Sequence, residues 1–238
     1  MANGSLYLLP SGLGGAPRAL LPDQTLQILE KTEYFIVEDA KTASMFLKSV
    51  GYPKPLQSAR MASLNEHTRP EAIAGMLEPI LGGLDGALLS DAGCPAVADP
   101  GARLVREAHA SGIRVVPLVG PSAILLAVMA SGMNGQRFQF HGYLPVDAVA
   151  RRKSLITLEQ ESSKNDVTQA FIETPYRNRA MYEAILSSCQ PNTLLCVATD
   201  LTCQSEYVST RSISAWRSAD APDLERRPTV FLIYRGRS

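Results

Sequence analysis

The chain has 238 residues, 45% of them hydrophobic and 19% charged, with 23 basic side chains balanced by 23 acidic ones. That length supplies ample core for one large domain or two smaller ones, and a formal net charge of zero leaves no molecule-wide field to draw in a polyanion, only local patches. No basic stretch precedes an apolar run at the start, so no signal peptide is read, and the longest apolar run, Val115 to Ala130, is broken by Pro117, Gly120 and Pro121, which fits a buried strand, turn and helix better than a membrane span.

In chain order, Ser5 to Leu9 reads as a first strand and Pro10 to Pro17 as a glycine-rich loop. Asp23 is placed to cap a helix carrying Leu26 and Leu29. Tyr34 to Val37 is a second strand ending in Glu38 and Asp39, followed by a helix over 42–50 that Gly51 and Pro53 stop. Ser63 to Pro70 is polar and reads as loop. Glu71 to Leu81 carries Ile73, Met76, Leu77 and Ile80 at helical spacing. A buried strand, Gly86 to Ser90, then leads into a long polar loop with Asp91, Gly93, Pro95, Asp99, Pro100 and Gly101. A helix with Leu104, Val105 and Ala108 on one face and a strand at Arg114 to Leu118 follow. This alternation predicts a parallel sheet with right-handed crossovers.

Val119 to Ala123 opens a helix reaching about Ser131 that is apolar on every side. Such a helix is expected to be buried between two layers or two domains. Arg137 to Leu144 alternates and begins a second unit. Arg151, Arg152 and Lys153 head a helix, Val167 to Ile172 is a strand, and 178–188 is a helix. Strands at 193–199, 206–213 and 229–234 lack long intervening helices, so this half is expected to be mixed or antiparallel. The expected division is an N-terminal α/β domain over 1–118, a linker helix over 119–136 and a C-terminal α/β domain over 137–238. Cys94, Cys189, Cys196 and Cys203 form no C-x-x-C pair and have no histidine nearby, which reads as free thiols of a reducing cytoplasm and as no metal site.

Two loops carry candidate chemistry. Gly12, Gly14 and Gly15 follow a strand and invite a dinucleotide reading, with Glu38 near the distance of a ribose-binding acid. Pro17 occupies the position that the fingerprint reserves for glycine or alanine. The long loop leaves the carboxyl end of a strand, where open α/β sheets place ligands. Within it Asp91 reads as ligand-facing. Asp99, directly before Pro100 and Gly101, reads as the N-cap of the next helix.

The loop Ser90 to Gly101 resembles the signature loop of the tetrapyrrole methylase superfamily, and within it the branch of 16S ribosomal RNA 2′-O-ribose cytidine methyltransferases. The likeness runs through Leu6 to Pro10, Val37 to Asp39, Asn65 to His67, Val116 to Ala123, Phe138 to Pro145 and Phe171 to Arg177, in that order. It implies a two-domain class III methyltransferase-like α/β fold, with a parallel N-terminal sheet and a mixed C-terminal one. It further implies S-adenosylmethionine held in a cleft between the domains, and a cytoplasmic homodimer. By position, Pro10 and the run Asp91, Ala92, Gly93, Cys94, Pro95 and Val97 would contact the cofactor. So would Ser122 and Ala123 from the linker, and Glu173, Thr174, Ala198, Pro228 and Thr229 from the second domain.

A sulfonium methyl is already activated, so the protein need only align the reacting atoms and exclude water; a nearby base helps when the nucleophile is a hydroxyl. Glu38, Asp39, Glu66 and His67 are the catalytic candidates. The run Ala198 to Cys203 lacks the Arg and Lys usual in the ribosomal branch, and the likeness does not extend to that branch's additional basic C-terminal segment. The substrate is therefore an RNA, with Arg151, Arg152 and Lys153 as phosphate contacts, or a tetrapyrrole or other small molecule. A nucleotide-binding oxidoreductase and a non-catalytic cofactor-binding protein are the competing readings.

Overall fold

The structure is a computed structural model that describes residues 3–236. Its contacts divide the chain into two compact units, one ending at Ser122 and the other beginning at Ala123.

The first unit holds a five-stranded sheet of β1 (Ser5–Leu9), β2 (Tyr34–Val37), β3 (Arg60–Ser63), β4 (Gly86–Leu89) and β5 (Arg114–Pro117), in the order β3-β2-β4-β1-β5 and parallel throughout. Successive side chains of a strand point to opposite faces, so each strand feeds two cores. Tyr34, Ile36 and Leu88 pack with Ile73, Leu77 and Ile80 of α4 (Pro70–Leu81) and Leu104 and Ala108 of α5 (Ala102–Ala110). Phe35, Val37, Ala87 and Leu89 pack on the other side with Leu26 and Leu29 of α2 (Asp23–Lys31) and Leu47 of α3 (Ala40–Ser49). A one-turn helix, α1 (Pro17–Leu20), precedes α2. The register pairs Leu9, Val37 and Leu89 across the sheet, and Val37 with Ser63, so four strands end level.

The second unit is a mixed sheet of β6 (Phe138–Tyr143), β7 (Thr168–Ile172), β8 (Leu194–Thr199), β9 (Tyr207–Ser212) and β10 (Thr229–Tyr234), in the order β6-β7-β10-β8-β9. Only β6 and β7 run parallel; β10 is antiparallel to both neighbours, and β8 to β9. One face packs on α7 (Ala148–Asn165), α8 (Asn178–Ser188) and α9 (Ile213–Arg217) through Leu155, Met181, Ile185 and Trp216. The other packs on Ala127 and Val128 of α6 (Ala123–Ser131).

Several expectations shift. Asp23 is the first residue of α2 and makes no cap bond; Pro22 holds the cap position. The polar stretch read as loop begins with the last residue of an edge strand, β3. The helix α6 is not buried all round: Leu125 and Met129 are exposed, because only one of its faces meets the sheet. Among the described residues, no helix is long and apolar enough to cross a membrane.

Candidate active site

Because the strands of the first sheet end level, the loops beginning at Pro10, Glu38, Leu64 and Ser90 emerge side by side at one edge. The loop from Ser90 to Gly101 is braced from within. Ser90 Oγ donates to the Gly93 carbonyl at 2.9 Å. Asp99 Oδ1 accepts from the Ala96 N–H at 2.8 Å and the Gly101 N–H at 2.7 Å. Ala96 and Ala98 both sit at positive φ, 63° and 61°, a conformation costing about 1–3 kcal/mol each that persists only where the surroundings over-determine it. Asp99 is therefore a brace of the loop. The helix α5 starts at Ala102 with Gly101 in the cap position and no side-chain cap bond, so the N-cap expected of Asp99 is not formed.

Neighbouring loops are laced to this one. The Ser11 N–H donates to the Gly93 carbonyl at 2.9 Å, and the Cys94 thiol donates to the Pro121 carbonyl at 3.4 Å. Gly93 has φ 77°, and a Cβ on Gly120 would lie 2.4 Å from the Pro10 side chain, so Gly120 must lack one. Pro10, Gly93, Cys94 and the Gly120 to Ser122 turn thus form one connected backbone cradle. Pro10, Gly93 and Pro95 are buried, while Asp91, Ala92 and Val97 are exposed on its surface. The glycine loop after β1 ends in α1, a single turn starting at Pro17, where a dinucleotide fingerprint needs a long helix opening on its last glycine or alanine.

Carboxylates gather beside the cradle. Glu38, half-buried at the end of β2, has its pKa pushed up to about 7, first by burial and then by the Asp99 and Asp91 charges. Burial also raises Asp91, whose charge is opposed by Asp39 and eased by the Asp39 backbone N–H. Asp99 is raised by burial, against the pull of its two N–H donors. Asp39 is differently employed: it caps α3, accepting from the Thr42 N–H at 2.7 Å and hydroxyl at 2.9 Å, which holds its carboxyl below the usual range. Of the four catalytic candidates, Glu38 is the one in a cluster that favours holding a proton near neutrality. Glu66 and His67 lie on the loop after β3, both exposed and 3.6 Å apart. Glu66 borders a cavity with Asp99 and Arg103, and His67 does not. Nothing in the sequence marks Arg103, an exposed helix residue next to the buried Leu104.

In the second unit the proposed contact residues meet at one end of the sheet, where Thr229 pairs with Thr199 and Val230 with both Ala198 and Ile172. The Glu173 side chain is fully buried. Its Oε1 accepts from the Thr174 N–H at 2.7 Å and from Arg177 Nε and Nη2 at 3.0 and 2.6 Å. Asn178 Nδ2 donates to the Arg227 carbonyl at 2.6 Å and to Thr229 Oγ1 at 3.2 Å. Glu173 Oε2 and Asn178 Oδ1 are buried acceptors that find no protein donor among the described residues. Such atoms are costly unless a bound group satisfies them. The Ala198 side chain is packed in the core under α6.

No family model matches the chain. It is 30% identical to the ribosomal RNA small subunit methyltransferase I of Escherichia coli O157:H7 over 238 residues, 99% of this chain and 79% of that protein. It is 33% identical to the protein of that name from Mesorhizobium japonicum, covering 92% of this chain and 72% of that one. With the Pseudomonas aeruginosa protein of the same name, 35% identity extends over 74% of this chain and 59% of that one. Among solved structures, the methyltransferase CobJ superposes with a TM-score of 0.64 at 19% identity, over 98% of this chain and 94% of that one. The uroporphyrin-III-C-methyltransferase of Thermus thermophilus superposes with a TM-score of 0.58 at 17% identity, over 97% and 94%. These two likenesses establish a tetrapyrrole methylase fold.

Proposed function

The chain belongs to the ribosomal RNA small subunit methyltransferase I family, a family of S-adenosylmethionine-dependent methyltransferases, and from that premise we propose that it methylates a ribose 2′-hydroxyl of ribosomal RNA. The observation that carries the reading is Glu38: a half-buried carboxylate with its pKa near 7, beside a braced cradle, is suited to take a proton from a hydroxyl.

When bound, the cofactor supplies a methyl group on a positively charged sulfur, ready for direct displacement. The cradle of Pro10, Gly93, Cys94, Pro95 and Ser122 would hold it, and the exposed carboxylate of Asp91 would suit its ammonium group. Ala92 and Val97 would complete the lining. Within the second unit, Asn178 with the backbone of Thr174, Pro228 and Thr229 is the polar group suited to a ribose or an adenine amine. Glu38 would take the proton of the attacking hydroxyl, leaving that oxygen as the nucleophile toward the methyl group the cofactor would supply. The stiffness of the cradle favours this line-up by keeping the reacting atoms aligned.

The test is calorimetric titration of the full chain with S-adenosylhomocysteine, with NADH as control, followed by transfer of labelled methyl to small ribosomal subunits. Binding of the homocysteine compound alone, with label entering 16S RNA, supports the reading. NADH binding alone would return the glycine loop after β1 to the lead. Dimer formation belongs to the same proposal. Exposed Leu125 and Met129 on α6, and Tyr143, Val146 and Val149 around the end of β6, are apolar surface that a second copy would cover. Light scattering should give twice the chain mass; a monomer at micromolar concentration would sink this part.

A further inference from the structure

The loop after β3 and the first turn of α5 enclose a cavity of about 400 Å³ that the methyl-transfer steps above do not use. Leu64, Ile73 and Pro100 give it apolar walls, and Glu66, Asp99 and Arg103 give it charged ones. Arg103 makes no hydrogen bond or ion pair among the described residues. Asp99 spends Oδ1 on the Ala96 and Gly101 N–H groups, which leaves Oδ2 with no protein donor described. Asp99, one wall of this cavity, is also close enough to Glu38 for its charge to act on that residue.

A lining of one guanidinium, two carboxylates and apolar side chains is a poor phosphate site, because both carboxylates would repel the anion. It suits a flat heterocycle with acceptors and an amine on one edge: arginine donates to ring nitrogen and carbonyl oxygen, and acidic side chains accept from the exocyclic amine. Single-stranded RNA is read in this way, through unstacked bases whose pairing edges are exposed. Ligand pockets begin at roughly 300 Å³, so this cavity has room for one base with part of its ribose. We propose that the cavity is a base-binding subsite for the RNA substrate, in which Arg103 donates to the ring acceptors of one unstacked base and Glu66 and Asp99 accept from its exocyclic amine. This rests on the RNA-methylating reading and names a part of the substrate that reading left unplaced.

The test uses the full chain, saturated with S-adenosylhomocysteine, and two probes differing at the pairing edge: short oligocytidylate, whose base carries the amine, and short oligouridylate, whose base carries a carbonyl there. Fluorescence anisotropy at several salt concentrations should show tighter binding of oligocytidylate by about tenfold, the scale of one good base contact. Arg103→Ala should weaken oligocytidylate binding by about tenfold with an unchanged salt slope, because a base contact releases no counterions. Glu66→Gln, an exposed isosteric change, should remove most of the preference between the two probes. Equal binding of both probes by the unmodified chain overturns the subsite. So does an equal loss of both in Arg103→Ala with a shallower salt slope, which marks a phosphate contact. Homocysteine-compound binding without base preference defeats the subsite alone; an Arg103-dependent preference without that binding defeats the methyltransferase reading and retains the subsite.

Discussion

Glu38 concentrates the chemistry in one side chain. A base must be unprotonated to act, so kcat/KM should rise as pH increases through about 7 and level off above it. Glu38→Gln keeps the shape, removes the proton acceptor and should lower kcat by about a hundredfold or more, with S-adenosylhomocysteine affinity unchanged. The same residue weighs on stability in the opposite sense. Its folded pKa, about 7, lies above its ordinary value of 4.5. The folded state therefore holds the proton more tightly, and stability falls as pH rises from 4.5 to 7. The Glu38→Gln protein should accordingly melt higher than the parent at pH 8, with the gain vanishing below pH 4.5. A thermal melt series across that range checks it, and a gain independent of pH would remove the electrostatic account.

At the scale of the element, the loop from Ser90 to Gly101 is governed by Asp99. Asp99→Asn keeps an oxygen for the Ala96 and Gly101 N–H groups while deleting the charge that raises Glu38. The loop should hold and the activity profile should move to lower pH. Asp99→Ala should instead release the left-handed Ala96, at a cost of about 1–3 kcal/mol for the orphaned donors, and weaken S-adenosylhomocysteine binding. Melting curves and pH–rate profiles of the two variants separate brace from charge. Asp99 also shows where reading the chain succeeds and stops. An Asp-Pro-Gly sequence before a helix follows the local grammar of an N-cap, and only the folded loop shows its carboxyl turned back on Ala96. The strand β3 was missed because it is short and lies at the sheet edge, with no apolar alternation to betray it. Glu38 and Asp91 stand out in the sequence because each lies within two residues of the end of a buried strand. The cavity was not, because it depends on residues 64–68 meeting residues 98–103, a distance no local pattern encodes.

For the molecule as a whole, net charge is zero, so the proposed RNA substrate would be met by patches. Arg151, Arg152 and Lys153 lie in the first turns of α7, the end of a helix that disfavours cations. Changing all three to Ala should therefore leave stability intact or raised and spare cofactor binding. It should also flatten the salt dependence of RNA affinity by about two units, near 0.7 for each lost single-strand phosphate contact. Unaltered RNA binding would make them a solvated helix face. The level strand ends carry a longer consequence. Loops from β1, β4 and β5 are tied to one another by Ser11, Gly93, Cys94 and Pro121, whereas residues 65–68 after β3 hydrogen-bond among themselves through Asn65 and Thr68. On the proposed base subsite, drift in those residues would alter acceptor choice more than methyl-donor handling. A single scaffold can thereby radiate into many specificities, and loop exchange between relatives offers an engineer the same freedom.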